Sequence, residues 1–123
     1  MCMSSGENIF KAGIAVAPVT DYRLYDTAYT ERYMRRPQEN FKGYDMSSAL
    51  MRVDKLQGNL LIIHGSADDN VHTQNTMLYI DRLVAADKQF EMQLYTDKNH
   101  SILGKQTRRH LYTRMSEFLF KNL

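Results

Sequence analysis

The sequence predicts an α/β fold with about three parallel strands, crossover helices and a C-terminal helix, and three observations carry that expectation. Leu60-Leu61-Ile62-Ile63 is a continuous apolar run ending at Gly65, the pattern of a short strand buried on both faces. Phe90-Glu91-Met92-Gln93-Leu94-Tyr95 alternates apolar and polar residues, the pattern of a strand with one wetter face. Between them, Thr73 to Ala86 reads as a helix with Met77, Ile80 and Val84 on one face. Strands alternating with helices build a parallel sheet, and a strand, a crossover helix and a parallel strand bring both C-terminal loops to one sheet edge.

The other elements follow in order. Met1-Cys2-Met3 reads as a disordered terminus, too short for the apolar region of a signal peptide. Gly13 to Val19 is a strand apolar on both faces, closed by Pro18 and a Thr20-Asp21 turn, as suits a strand with neighbours on both sides. Tyr25 to Arg35 reads as a helix that stops before Pro37, because the residue before a proline disfavours the helical region. Pro37 to Tyr44 reads as a polar loop containing Gly43, and Asp45-Met46-Ser47-Ser48 as the cap of one helical turn through Met51. A final helix from about Lys105 sets Leu111, Met115, Phe118 and Leu119 on one face.

Composition narrows the classes. At 123 residues the chain suffices for one modest domain. Hydrophobic residues at 43% and charged residues at 24% are ordinary for a globular protein. A formal net charge of +2 gives no argument for nucleic acid, and the Arg32, Arg35, Arg36 and Arg108, Arg109 clusters read as solvated helix faces. One cysteine excludes an internal disulfide. No apolar run is long enough to encode a membrane span.

The chemistry concentrates in two loops. His64-Gly65-Ser66-Ala67-Asp68-Asp69-Asn70-Val71-His72 follows the first strand, and Asp97-Lys98-Asn99-His100 follows the second. Parallel neighbours lie about 4.8 Å apart, so an acid after one strand reaches a histidine after the next. An acid that orients a histidine base is the usual support of a serine or cysteine nucleophile. No serine here has a glycine two positions before and two after, so no nucleophile elbow of that kind is present. Cys2 has neither a partnering base nor a helix start to activate it. Spacing alone leaves plainer readings open: Asp68 and Asp69 suit an acidic turn capping the next helix, and His100 suits a surface loop. The four histidines lack the spacing of a metal site, so no metal or other cofactor is expected. His64 and His72 read as structural residues of the loop, and His110 as a helix-surface residue. Tyr25, Tyr29 and Tyr33 share one helical arc, a spacing that by itself suits core packing.

Four segments carry a resemblance. Gly13-Ile14-Ala15-Val16-Ala17-Pro18-Val19, Tyr25-Asp26-Thr27-Ala28-Tyr29-Thr30-Glu31-Arg32-Tyr33-Met34, the His64 to His72 loop and Tyr95-Thr96-Asp97-Lys98-Asn99-His100 resemble the C-terminal end of the dipeptidyl peptidase IV family. These are serine exopeptidases of the prolyl oligopeptidase group, in which a β-propeller joins an α/β-hydrolase domain. The likeness runs from about Phe10 to the end and is nearer in wording to bacterial members. One departure is Ser101, where the family usually has glycine after the catalytic histidine.

The resemblance implies a partial α/β-hydrolase fold, with residues 1–123 forming the C-terminal part of a peptidase catalytic domain. The nucleophile region and the propeller would then lie outside this chain. It selects Asp68 as the catalytic acid and His100 as the base, leaving Asp69 to the loop or the helix start. It places Tyr25, Tyr29, Val19 and Val71 in an apolar pocket for the residue before the cut, and Asn70 on a substrate carbonyl. Tyr33 remains a packing residue. The implied activity is release of N-terminal dipeptides with Pro or Ala in second position, from peptide substrates, by an extracytoplasmic or periplasmic enzyme. Homodimerisation or higher self-association is expected, while the chain alone is expected to be inactive. Two other classes fit the same residues: another α/β-hydrolase such as an acylaminoacyl peptidase or an esterase, and a non-catalytic association module. Asn99-His100-Ser101 matches a glycosylation acceptor, but a glycan there would block the site.

Overall fold

The computed structural model describes all residues, Met1–Leu123. Three strands, β1 (Ala12–Val16), β2 (Asn59–Gly65) and β3 (Glu91–Tyr95), form one parallel sheet in the order β1-β2-β3. Four α-helices accompany them: α1 (Thr27–Met34), α2 (Phe41–Ser47), α3 (Gln74–Ala85) and α4 (Lys105–Asn122). No helix is long and apolar enough to cross a membrane.

The centre of the fold is β2, because its continuous apolar run has a layer on each side. Leu60 and Ile62 face a cluster with Ala49, Val53, Leu56, Tyr79 and Leu83. Leu61 and Ile63 face the opposite cluster with Tyr95, Ile102, Leu111 and Phe118. Burying each such aliphatic side chain is worth about 1.5–3 kcal/mol, so β2 anchors whatever its C-terminal end carries. Pairing of Ile63 with Gln93 and of Gly65 with Tyr95 brings β2 and β3 to a common end.

Several sequence expectations are corrected. The α3 face that turns inward carries Asn75, Thr76, Tyr79 and Leu83, with Ile80 at its margin, while Met77 and Val84 are exposed. The reason is hydrogen bonding: the Asn75 amide oxygen accepts from the Thr20 backbone N–H at 3.0 Å, and Thr76 meets His64. The segment expected as a loop before Tyr44 contains most of α2, started by Asn40, whose side chain accepts from the Gly43 N–H at 3.1 Å. A Cβ on Gly43 would push the Asn40 side chain out of that cap, so the glycine leaves the cap room to form. Asp45 to Ser47 therefore close α2 rather than open a turn, and the 3₁₀ segment after them is Leu50–Lys55.

β1 stops at Val16, short of Val19, because Ala17 takes the left-handed conformation at φ 46° and Pro18 follows. It is only half-buried, with β2 on one side alone. Met1-Cys2-Met3 is not disordered. Cys2–Ser4 forms a 3₁₀ turn, the Met3 carbonyl accepts from the Gln57 N–H, and Met3 packs on the core beside Gly13.

α4 follows expectation from Lys105 onward, burying Leu111 and Phe118 with Met115 against the core, although Leu119 reaches solvent. Glu91 ties β3 to this helix through Arg114 and Lys121, and those two cations hold its carboxyl below the usual range.

Candidate active site

The loops that follow β2 and β3 meet at the C-terminal edge of the sheet, where parallel α/β folds place their sites. Gly65 permits the meeting: a Cβ there would collide with the carbonyl oxygens of Lys98 and Asn99. Backbone bonds then stitch the loops together, from Ala67 N–H to Lys98 at 3.0 Å and from Ser66 N–H to Tyr95 at 2.9 Å. The Asp97 N–H adds a bond to the Ser66 hydroxyl at 2.9 Å.

On this frame the His100 Nδ1 lies 2.8 Å from Asp68 Oδ2. The other carboxylate oxygen, Oδ1, accepts from the backbone N–H groups of Asn70 (3.0 Å) and Val71 (2.9 Å). The Asp68 side chain has no exposed surface, whereas that of His100 is 40% exposed. The geometry thus has one buried, fully bonded carboxylate and one imidazole whose Nε2 makes no bond within the chain. Such a pair can hold an imidazole in the Nδ1–H tautomer and leave Nε2 to take a proton.

Burial by itself raises the Asp68 carboxyl. The His100 ring N–H, followed by the Val71 and Asn70 N–H groups, outweighs burial and holds it below the usual carboxylate range. A depressed folded value means that ionised Asp68 stabilises the fold above its unfolded pKa of about 4, and that this contribution is lost as pH falls through the folded value. In urea unfolding between pH 6 and pH 2, run at intervals of about one pH unit, the stability advantage of the native chain over Asp68→Asn is expected to shrink on acidification. A gap independent of pH would contradict it.

Asp69 is exposed, accepts no hydrogen bond, and does not cap α3, which Thr73 precedes. Of the two expected places, the helix start is not met, and Asp69 belongs to the turn of the loop beside Asn70. His110 lies on the exposed side of α4, 2.7 Å from the Tyr95 hydroxyl.

The tyrosine arc differs from a core stripe. Asp26 caps α1 by accepting from the Tyr29 N–H at 2.8 Å, which leaves Tyr25 just ahead of the helix. Tyr25 and Tyr29 meet edge-to-face with centroids 5.5 Å apart. Tyr33 is not a packing residue: it is 68% exposed and touches Tyr29 and Arg32. The Tyr25 hydroxyl donates to the Asn70 side-chain oxygen at 3.0 Å, which leaves the Asn70 amide N–H groups for another acceptor.

The remaining expected pocket residues are not gathered into one cavity. Tyr25 and Asn70 line a polar cleft with Arg23, Asp69 and His72. Val19 lines a separate apolar cavity with Met3, Pro18 and Tyr79, and Val71 is buried beneath its loop. Sequence reasoning gave His64 only a structural place in the loop, whereas it lies at the centre of the site and contacts Asp68 directly. The available signal was a histidine continuing a fully buried strand, since such a group must find partners.

The sequence pattern of the prolyl oligopeptidase family matches residues 1–123. The chain belongs to the prolyl oligopeptidase family. Within that family it is 43% identical over 122 residues to dipeptidyl peptidase 4 of Bos taurus, covering 97% of this chain and 16% of that protein. The crystal structure of Porphyromonas gingivalis dipeptidyl peptidase 4 superposes with a TM-score of 0.96 at 63% identity, covering 98% of this chain and 17% of that one. The chain therefore corresponds to less than a fifth of the length of either relative. Its three parallel strands and flanking helices are part of the α/β-hydrolase fold of this dipeptidyl-peptidase-IV-like group.

Proposed function

We propose that residues 1–123 are the C-terminal part of the catalytic domain of a serine-type dipeptidyl peptidase, supplying its acid, Asp68, and its base, His100. The 2.8 Å bond between His100 Nδ1 and the buried Asp68 carboxylate, at the ends of adjacent strands, carries this reading. His100 Nε2 takes the proton of a serine hydroxyl, supplied from outside these residues, as the Oγ–C bond to the scissile carbonyl forms. The same proton passes to the amine as the C–N bond breaks, and water repeats the cycle to release the acyl group. Asp68 stabilises the imidazolium formed in each half. The relatives are named dipeptidyl peptidases, and the Tyr25–Tyr29 pair offers flat walls suited to a proline ring. Asn70, held by Tyr25, is the donor for a substrate carbonyl, while Val19, in its own cavity, and Val71, buried beneath its loop, take no part in this pocket as it stands.

Steady-state hydrolysis by the whole protein tests this. Gly-Pro-p-nitroanilide is expected to be cleaved, while its N-acetylated form and simple esters are poor substrates. Preference for the blocked peptide would make the protein an acylaminoacyl peptidase instead. Tyr25→Ala is expected to raise KM for the proline substrate about tenfold or more, sparing acylation by a small unspecific reagent.

The 123-residue chain by itself is expected to self-associate. β1 leaves one edge unpaired, and Phe120 at 89% exposure lies beside Leu119 and Leu123 at the end of α4. Light scattering at micromolar concentration is expected to show a dimer or larger species, and a stable monomer would contradict this.

A further inference from the structure

We infer that His64 is a positioning residue that anchors the catalytic acid, an inference resting on the reading of Asp68 and His100 given above. His64 is the penultimate residue of β2, and its side chain, like that of Asp68, has no exposed surface. A buried imidazole in an otherwise apolar strand is costly unless both ring nitrogens are satisfied. Both are. Nδ1 lies 2.7 Å from the Thr76 hydroxyl, and Nε2 lies 2.8 Å from the Val71 carbonyl and 3.1 Å from Asp68 Oδ2.

The partners assign the tautomer. A carbonyl oxygen and a carboxylate oxygen both only accept, so Nε2 carries a proton shared between them. In the neutral ring Nδ1 then accepts from the Thr76 hydroxyl. The acid is consequently held by four donors: the Asn70 and Val71 N–H groups on Oδ1, and the His64 and His100 rings on Oδ2. The two backbone donors fix Oδ1 alone. Without His64, the only donor to Oδ2 would be His100, the very group that this oxygen has to orient. His64 ties Oδ2 to the most deeply buried strand of the fold, and Thr76 on α3 fixes the imidazole in turn. The carboxylate plane, and with it the direction of the base, is set from the sheet before any substrate arrives.

The test is kinetic, on the whole protein with Gly-Pro-p-nitroanilide. His64→Leu is expected to lower kcat by about 10- to 100-fold with KM within about twofold, since misdirecting the base leaves binding intact. His64→Gln, whose amide N–H can reach the position of Nε2–H, is expected to recover kcat to within about threefold of the native value. Thr76→Val, which leaves the imidazole unfixed, is expected to lower kcat about threefold or more at unchanged KM. Native kcat in His64→Leu, or an equal loss in the Leu and Gln variants, would overturn the inference. Should His64→Leu not fold, Thr76→Val and His64→Gln decide: native kcat in the first, or collapse of kcat in the second, overturns it. Failure of the underlying reading looks different, because His100→Ala would then keep native turnover.

Discussion

Replacing His100 by alanine in the whole protein is expected to lower kcat/KM for glycyl-prolyl substrates by about 10⁴-fold or more, because the members of a Ser-His-Asp site act as a unit. The geometry says why nothing nearby substitutes. His64 is fully buried and spends Nε2–H on Val71 and Asp68, His72 lines the cleft with Arg23 and bonds no carboxylate, and His110 is bonded to Tyr95. Only His100 combines a ring nitrogen on the acid with an open Nε2. A loss of that size corresponds to about 5.5 kcal/mol of transition-state stabilisation, and it should fall on kcat, with KM changed little. Steady-state rates across substrate concentration check it. Retention of more than about a tenth of native kcat would show that another group is the base.

Asp68→Asn is expected to cost nearly as much, about 10³- to 10⁴-fold in kcat, whereas Asp69→Asn should change kcat by less than about threefold. The backbone N–H groups of Asn70 and Val71 keep an acceptor at the Oδ1 position, so the new amide nitrogen must take the Oδ2 position. There it faces the N–H of His64, and His100 can meet it only by presenting an unprotonated Nδ1. The proton of His100 then sits on Nε2, where the base is needed unprotonated. Asp69, exposed and unbonded, offers no such route. Parallel kinetics on the two variants decide the matter, and a greater loss for Asp69→Asn would reverse the assignment of the acid.

Much of this was legible in the sequence because β2 is unusually plain: an unbroken aliphatic run ending in glycine admits one reading, and a helix and a second strand follow at crossover distance. Parallel topology then put the His64 to His72 loop and the Asp97 to His100 loop at neighbouring strand ends, and the family resemblance singled out Asp68 and His100 within them. What stayed hidden depends on contacts rather than on hydropathy. The inward face of α3 is led by Asn75 and Thr76, whose burial is explained only by Thr20 and His64, partners at a distance in the chain. α2 has no apolar stripe, since Phe41 and Met46 are exposed and only Tyr44 is buried, so its signal lay in the Asn40 cap. Tyr25, Tyr29 and Tyr33 have helical spacing, yet the Asp26 cap puts the first ahead of the helix and leaves the others in solvent. His64, legible only as a structural residue of the loop, hid the most. Its partners stand four, seven and twelve residues further on, and they converge only when the strand, its loop and α3 are folded together.

The central claim is that this chain carries the working acid–base pair of a serine peptidase, and covalent labelling tests it most directly. The whole protein is to be treated with a fluorophosphonate, which forms a bond only with a serine whose proton is removed by its base. Intact-mass spectrometry is expected to show a single adduct on the native protein and none on His100→Ala over the same interval. Labelling of His100→Ala at the native rate would contradict the account.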